Sequence, residues 1–578
     1  MSPQAPWWKN ASIYQIYPAS YKDSNGDGIG DLPGIIGKLD YIQSLGVDAI
    51  WLCPMYDSPQ YDMGYDISNY EDVYAPYGTV ADVETLITAC HDRGMRILLD
   101  LVINHTSHEH AWFKQSRTSK DSPKRDWYIW RPARYENGVR RPPNNWRSIF
   151  GGSAWEWDEA SREYYLHLFA VQQPDLNWEN ADTRAAVYES AMKFWLRKGI
   201  DGFRVDTVNM YSKNQSFRDA PIIDPQHEWQ PAWSLYCNGP RMHEFLRELG
   251  QILLEYNAMT VGELPNTPQI ADVPGYVSAK AQQLSMVFQF DVVDIGQGTD
   301  LRFNTVPRNW TLPDLRERIA RTQQLSDGTA DGWSTTFLEN HDQARSISRW
   351  GSEETPESWQ RSAKMLAMLV ASLSGTLYVY QGQEIGMVNA PVEWEISEYK
   401  DLDSINYYDF VRTVAKSNPV ALAKAKAALA HLARDHARLP MQWDATPNAG
   451  FTSEEAKPWM RVHDGYAALN VKRQTVDSNS VLNFWRELLR VRRENPKLFA
   501  QGVFSDTDPS HESVFVYEKG STDAKLVVAL NFTGKAQSVD LASRLSGSSY
   551  KTLVKNCEEE PLDSLQAYEG RIYRLEKQ

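Results

Sequence analysis

Three carboxylates stand where a carboxylate can do chemistry. Asp206 closes the stretch Gly202-Phe203-Arg204-Val205-Asp206-Thr207, Glu263 closes Val261-Gly262-Glu263, and Asp342 follows His341 in Glu339-Asn340-His341-Asp342. Each ends a short apolar run. Paired carboxylates are the equipment of glycoside hydrolysis: one is ionised to attack the anomeric carbon, the other protonated to serve the leaving oxygen. Arg204 lies two residues before Asp206, so on a strand both side chains share a face. A guanidinium there would keep Asp206 ionised, which suits a nucleophile. Glu263 has apolar sequence neighbours and no adjacent cation, which predicts a raised pKa and the role of acid. Asp100, with Asn104-His105 beyond it, ends another run of the same kind.

Such groups need elements that aim them at one point. Eight near-continuously apolar runs recur: 12–18, 49–55, 96–103, 202–208, 259–264, 285–291, 334–342 and 376–384. Buried parallel strands read this way. Between the first two, Ile35, Ile36, Leu39, Ile42 and Leu45 recur every three or four residues, as one face of a helix does. Gly46, Gly94 and Gly199 precede the next runs, where a left-handed residue can end a helix. The rhythm predicts an α/β fold, a (β/α)₈ TIM barrel, whose functional residues gather at the C-terminal ends of its strands. Two stretches break it. Residues 104–174 are rich in Trp, Pro, Asn and Arg and read as a subdomain inserted after strand three. From 502 to 578 alternating runs predict a C-terminal antiparallel β domain. The barrel is left with 1–103 and 175–501.

Composition narrows the function. With 60 basic and 75 acidic residues the net charge is −15, so nucleic acid is a poor partner. No apolar run reaches the ~18 residues of a membrane span. The first ten residues carry no basic segment followed by an apolar one, and Cys53, Cys90, Cys237 and Cys557 lack metal-ligand spacing. Both point to the cytoplasm. The 21 Trp and 29 Tyr residues offer apolar faces with polar tips, which suits a sugar. The sequence carries no signal for an oligomeric state.

Taken together, Asp100-Leu-Val-Ile-Asn104-His105, Gly202-Phe-Arg204-Val-Asp206-Thr207, Gly262-Glu263, Glu339-Asn-His341-Asp342, Gln173-Pro-Asp-Leu-Asn177 and Gln60-Tyr-Asp62-Met-Gly-Tyr65-Asp66 resemble the α-amylase superfamily of glycoside hydrolases (family 13). Within it the chain is similar to the maltase and oligo-1,6-glucosidase group. The resemblance implies an exo-acting α-glucosidase that releases α-glucose from maltose and short α-1,4-linked oligosaccharides with retention. In it Asp206 is the nucleophile, Glu263 the general acid and base, and Asp342 the third carboxylate. Asp62, Tyr65, His105, Arg204 and His341 would grip the non-reducing glucose, Arg438 would close that pocket, and Phe150 and Phe169 would line its entrance. At the position after the nucleophile a Thr or Ala accompanies α-1,4 preference in this group and a Val accompanies α-1,6; here it is Thr207, and some α-1,6 or sucrose activity fits the same scaffold. The alternatives are a glucosyl transferase or sucrose isomerase, whose charged loop the stretch 302–308 does not match, and a non-catalytic barrel of a transporter-associated heavy chain.

One motif stands apart. Asp23-Ser-Asn25-Gly-Asp27-Gly-Ile29-Gly-Asp31 places oxygen ligands at alternate positions with glycines to bend the loop, which suits a structural Ca²⁺. Gly34 at the twelfth position, where Glu is required, excludes a full EF-hand. The resemblance adds the backbone carbonyl of Ile29 to the ligands. No organic cofactor is expected.

Overall fold

The computed structural model describes residues 6–225, 227–267, 269–298, 310–326, 332–546, 549–558 and 561–576. The eight expected runs form eight strands: β1 (Ser12–Ile16), β2 (Ala49–Leu52), β3 (Arg96–Leu101), β4 (Gly202–Val205), β5 (Met259–Glu263), β6 (Met286–Phe288), β7 (Thr335–Thr336) and β8 (Thr376–Tyr380). They pair in parallel in the order β6-β5-β4-β3-β2-β1-β8-β7. A parallel bridge from Val287 in β6 to Ser334 beside β7 closes the ring. The helices end as the glycines foretell: Gly46, Gly94 and Gly199 have φ of 89°, 71° and 98°. Helix α1 (Val80–Asp92) opens with a capping box between Thr79 and Asp82.

Strand β7 is far shorter than the run 334–342 suggests. Beyond Thr336 the chain leaves the sheet, and Glu339 takes hydrogen bonds from Arg345 (3.1 Å) and from the N–H of Ser346 (2.9 Å). These local partners replace the ladder and carry His341 and Asp342 over the barrel mouth.

The insertion forms a three-stranded sheet of Trp130–Arg131, Glu163–Leu166 and Trp155–Asp158. Its core holds buried Trp146, Trp155 and Leu166, but also Met210, Phe217, Leu235 and Tyr236 from the segment after β4. The insertion therefore does not bury its apolar face alone. A second departure follows β8, where α2 (Pro356–Ser372) has led into the strand and a helical hairpin, α3 (Leu402–Val414) and α4 (Pro419–Leu432), leaves it. The sequence rhythm gave no warning of that hairpin. The stretch 302–308, compared above with an isomerase loop, lies wholly outside the described residues.

The C-terminal strands β9 (Val503–Asp506), β10 (Val514–Gly520), β11 (Ala524–Asn531), β12 (Tyr550–Lys555) and β13 (Gly570–Glu576) form an antiparallel sheet in the order β9-β10-β11-β13-β12. Alternation divides its faces. Phe515, Tyr517, Leu526 and Val528 join the barrel core, while Val514, Val516, Val527 and Ala529 build a core of their own. At this junction Arg492, on α5 (Val481–Glu494) and 1% exposed, donates to the carbonyls of Ala371 (2.6 Å), Leu373 (3.2 Å) and Gly375 (2.5 Å). It thereby satisfies the C-terminal end of α2, whose last carbonyls have no helical partner. Arg492→Met leaves those carbonyls buried and unpaired, so equilibrium urea unfolding should show a loss of about 2–4 kcal/mol. A loss within about 0.5 kcal/mol, the size of a bland surface change, would discard this role.

Candidate active site

A cavity of about 900 Å³ opens at the C-terminal ends of the strands, lined among others by Asp62, Tyr65, His105, Asp206, Glu263 and Asp342. Asp206 follows β4 directly, its N–H bonded to Leu101 O of β3 at 3.0 Å. Glu263 ends β5, whose register places Arg204 beside Val261. Arg204 is 1% exposed and lies beneath the floor. Its Nη1 meets Asp206 Oδ1 at 2.8 Å and Asp100 Oδ1 at 2.9 Å, and its Nη2 meets Glu263 Oε1 at 2.8 Å.

This corrects one expectation. Glu263 does have an adjacent cation, and it is the same one that holds Asp206, because neighbouring parallel strands aim their ends at one spot. The two carboxylates nevertheless differ. Burial pushes Asp206 up to about 6, against the pull of Arg204. Burial pushes Glu263 further, to about 8, because Asp206 and Asp342 add to it while Arg204 opposes. At neutral pH the pair is one carboxylate and one carboxylic acid, the division that acid–base and nucleophilic work at a sugar requires.

A second layer orients the wall. Tyr65 stacks on His341 at 5.2 Å between centroids, and its hydroxyl lies 2.6 Å from His341 Nε2 and 3.1 Å from Asp100 Oδ2. Burial holds His341 down to about 3, so the ring is neutral. Gln15 Nε2 can only donate, at 2.9 Å, so Nδ1 accepts and Nε2 carries the proton. That proton faces Tyr65 and Asp342 Oδ2, 3.2 Å away. His105 is likewise neutral, lowered by burial to about 4, and its ring packs 5.0 Å from Phe169. Phe169 and Phe150 meet edge to face at 5.9 Å on the cavity wall.

Asp342 Oδ1 receives Arg434 at 3.1 Å and Arg438 at 2.8 Å. Arg434 also meets Asp401 at 2.9 Å and Asp62 at 3.6 Å, and Arg438 pairs with Asp401 too. Burial opposes the charge on Asp401, but the two arginines outweigh it and hold its carboxyl below the usual range. Burial pushes Asp62 up to about 7, with Arg434 opposing.

A model of the alpha-amylase catalytic domain matches residues 15–502. The chain belongs to the alpha-amylase family. It is 50% identical over 572 residues to an alpha-glucosidase of Candida albicans, covering 98% of this chain and 99% of that protein. It is 46% identical over 582 residues to an oligo-1,6-glucosidase of Saccharomyces cerevisiae, covering 98% and 97%. The structure of an isomaltulose synthase mutant of Erwinia rhapontici with its natural substrate sucrose superposes with a TM-score of 0.91 at 36% identity, covering 99% of this chain and all of that one.

In this alpha-amylase-family chain the expected residues do not all stand at the surface of the cavity. Asp62, Tyr65, His105, Phe150, Phe169, Asp206, Thr207, Glu263 and Asp342 line it. Arg204, His341 and Arg438, exposed by 1%, 0% and 1%, lie behind that wall. The arginines at the wall are Arg147, from the insertion, and Arg434, four residues before Arg438 in a tight 3₁₀ turn. The repeated arginine in Arg434-Asp435-His436-Ala437-Arg438 was the available signal. Asp401 gave none, since its role arises only where the hairpin begins. Trp229, Trp233, Phe290 and Phe410, also on the cavity wall, come from segments whose sequence carries no motif.

The acidic loop near the N-terminus is wound on itself. Asp23 accepts the N–H groups of Asn25 (2.9 Å), Gly26 (2.7 Å) and Gly28 (2.8 Å), Asn25 accepts that of Asp27 (2.9 Å), and Asp27 that of Ile29 (2.8 Å). Asp31 caps the next helix through Gly34 N at 2.6 Å. Among the described residues no group of three or more His, Cys, Asp or Glu side chains is placed to hold a metal ion. A cation in this loop would have to rest also on the Asn25 amide and the Ile29 carbonyl.

The inverted acidity of the floor is measurable. In ¹³C-carboxyl NMR, one resonance should titrate near pH 8 and vanish in Glu263→Gln. A Glu263 resonance titrating as an ordinary glutamate, near about 4.3, would contradict the burial argument.

Proposed function

We propose that the protein is an exo-acting, retaining α-glucosidase that takes maltose and short α-1,4-linked oligosaccharides from the non-reducing end. One observation carries the reading: two buried carboxylates of unlike acidity share one guanidinium at the floor of a cavity. The names of the relatives support the same class.

In this reading Asp206, ionised above about pH 6, attacks the anomeric carbon while Glu263, protonated below about pH 8, gives its proton to the departing oxygen. A covalent glucosyl ester on Asp206 results. Glu263, now ionised, takes a proton from water, which attacks the same carbon and releases α-glucose. Sharing Arg204 keeps the two carboxylates near each other, and a short separation belongs to retention. Asp342, held by Arg434 and Arg438, accepts sugar hydroxyls, and the Asp62–Arg434–Asp401 network supplies the blind end that makes the enzyme exo-acting.

Thr207 on the cavity wall supports maltose over isomaltose. A single wall group changes such a preference by about 1–3 kcal/mol. Glucosyl transfer or sucrose isomerisation is the second reading, favoured by the likeness to the sucrose-bound synthase. We place the protein in the cytoplasm, which its four free cysteines support. No helix among the described residues is long and apolar enough to cross a membrane. A calcium ion on Asp23, Asn25, Asp27, Asp31 and the Ile29 carbonyl belongs to the same reading, supported by oxygen donors at alternate positions.

Asp206→Ala should cost p-nitrophenyl α-glucoside hydrolysis about 10³-fold or more. For the wild type, kcat/KM should be bell-shaped: protonation of Asp206 ends activity on the acid side near 6, and ionisation of Glu263 ends it near 8. NMR of the first-formed glucose should show the α anomer; the β anomer would refute retention. Chelation should remove bound calcium and lower the Tm by about 2 °C, as the loss of about 2.7 kcal/mol of binding linkage does in a chain of this length. Metal-free protein with an unchanged Tm would end the calcium proposal.

A further inference from the structure

Arg204 holds only one oxygen of each floor carboxylate: Asp206 Oδ1 and Glu263 Oε1. The other two oxygens share a partner as well. The hydroxyl of Thr207 donates to Asp206 Oδ2 at 3.2 Å, and the backbone N–H of Thr207 donates to Glu263 Oε2 at 3.2 Å. Thr207 is buried, with its backbone at φ 39°. That left-handed conformation is costly for a β-branched residue and persists only where surroundings impose it. They do so here. Asp206 N–H is bonded to Leu101 O, Val208 N–H to Glu263 O and Met210 N–H to Thr207 O, each at 3.0 Å. Glycine would relieve the strain but has no hydroxyl.

We propose that Thr207 is a positioning residue for the reaction, holding the second oxygen of both floor carboxylates so that Arg204 and Thr207 together fix their mutual geometry. This rests on the roles proposed above for Asp206 and Glu263. It differs from a wall residue that only shapes the leaving-group site, because a wall residue leaves the nucleophile's acidity alone. A hydroxyl donating to a carboxylate favours the ionised form, so losing it raises the pKa. The other charged groups facing Asp206 are Arg204 on β4, Asp100 on β3, Glu263 on β5 and Asp342 beyond β7, and they stay in place.

The test is the pH profile of p-nitrophenyl α-glucoside hydrolysis, which involves neither an α-1,4 nor an α-1,6 sugar bond. Thr207→Val and Thr207→Ala both remove the hydroxyl, so either one that folds, judged by Tm, serves. Each should lower kcat about tenfold or more, the rate equivalent of one hydrogen bond to a charged group. Each should move the acidic limb up by about half to one pH unit. Thr207→Ser should keep both near wild type. An acidic limb unmoved in folded Thr207→Val or Thr207→Ala overturns the proposal, even if the maltose-to-isomaltose ratio changes. So does a Thr207→Ser that behaves like Thr207→Ala. Asp206→Ala, run in parallel, separates the two readings. Activity surviving in it removes the nucleophile's assignment and this proposal with it. An inactive Asp206→Ala beside an unmoved limb removes this proposal alone.

Discussion

The guanidinium of Arg204 is the interaction on which the site depends. Three carboxylates, Asp100, Asp206 and Glu263, converge on it within 2.9 Å, in a place with almost no solvent. Without a cation, three buried acids at that spacing would repel and take up protons. With one cation shared among them, charge is only partly compensated. Burial and the remaining repulsion from Asp206 and Asp342 raise Glu263 most, and it holds its proton to a higher pH than Asp206. Unequal acidity is thus a product of crowding and not of separate environments.

The barrel exists to make that crowding possible. Strands β3, β4 and β5 are adjacent and parallel, so their C-terminal ends deliver Asp100, Asp206 and Glu263 to one point. An antiparallel sheet would send alternate ends in opposite directions. Around this floor the same device is repeated with equal proportions: Arg434 and Arg438 converge on Asp342 and Asp401. Breaking one member of such a buried set strands the charge of the others, so each network behaves as a unit.

The wall of the cavity is a composite. The insertion supplies Phe150 and Phe169, the segment after β4 supplies Trp229 and Trp233, and the hairpin after β8 supplies Phe410. The insertion and the segment after β4 share one apolar core. Changes in either are therefore felt by both. Aromatic rings from separate excursions of the chain can surround a sugar without any one segment carrying a recognisable motif. Much of the tryptophan has the plainer task of filling the barrel: Trp51, Trp178 and Trp195 are fully buried.

The eight strands and the floor carboxylates were legible along the chain, because hydrophobic runs, helix-ending glycines and charged strand ends are local patterns. So was Arg204 as a partner of Asp206, two residues away on one strand. Its contact with Glu263 was not legible, because it crosses from β4 to β5. The family pattern assigns Arg438 to the pocket, and folding puts Arg434 there, since a 3₁₀ turn and the position of Asp401 decide which of the two faces the cavity. The brevity of β7 and the helical hairpin also escaped, for each depends on partners distant in sequence. By itself the sequence determined which elements form and which residues carry charge at their ends. Only the tertiary structure decided how many acids share one cation and how far from water they stand, and proton affinity follows from those two quantities.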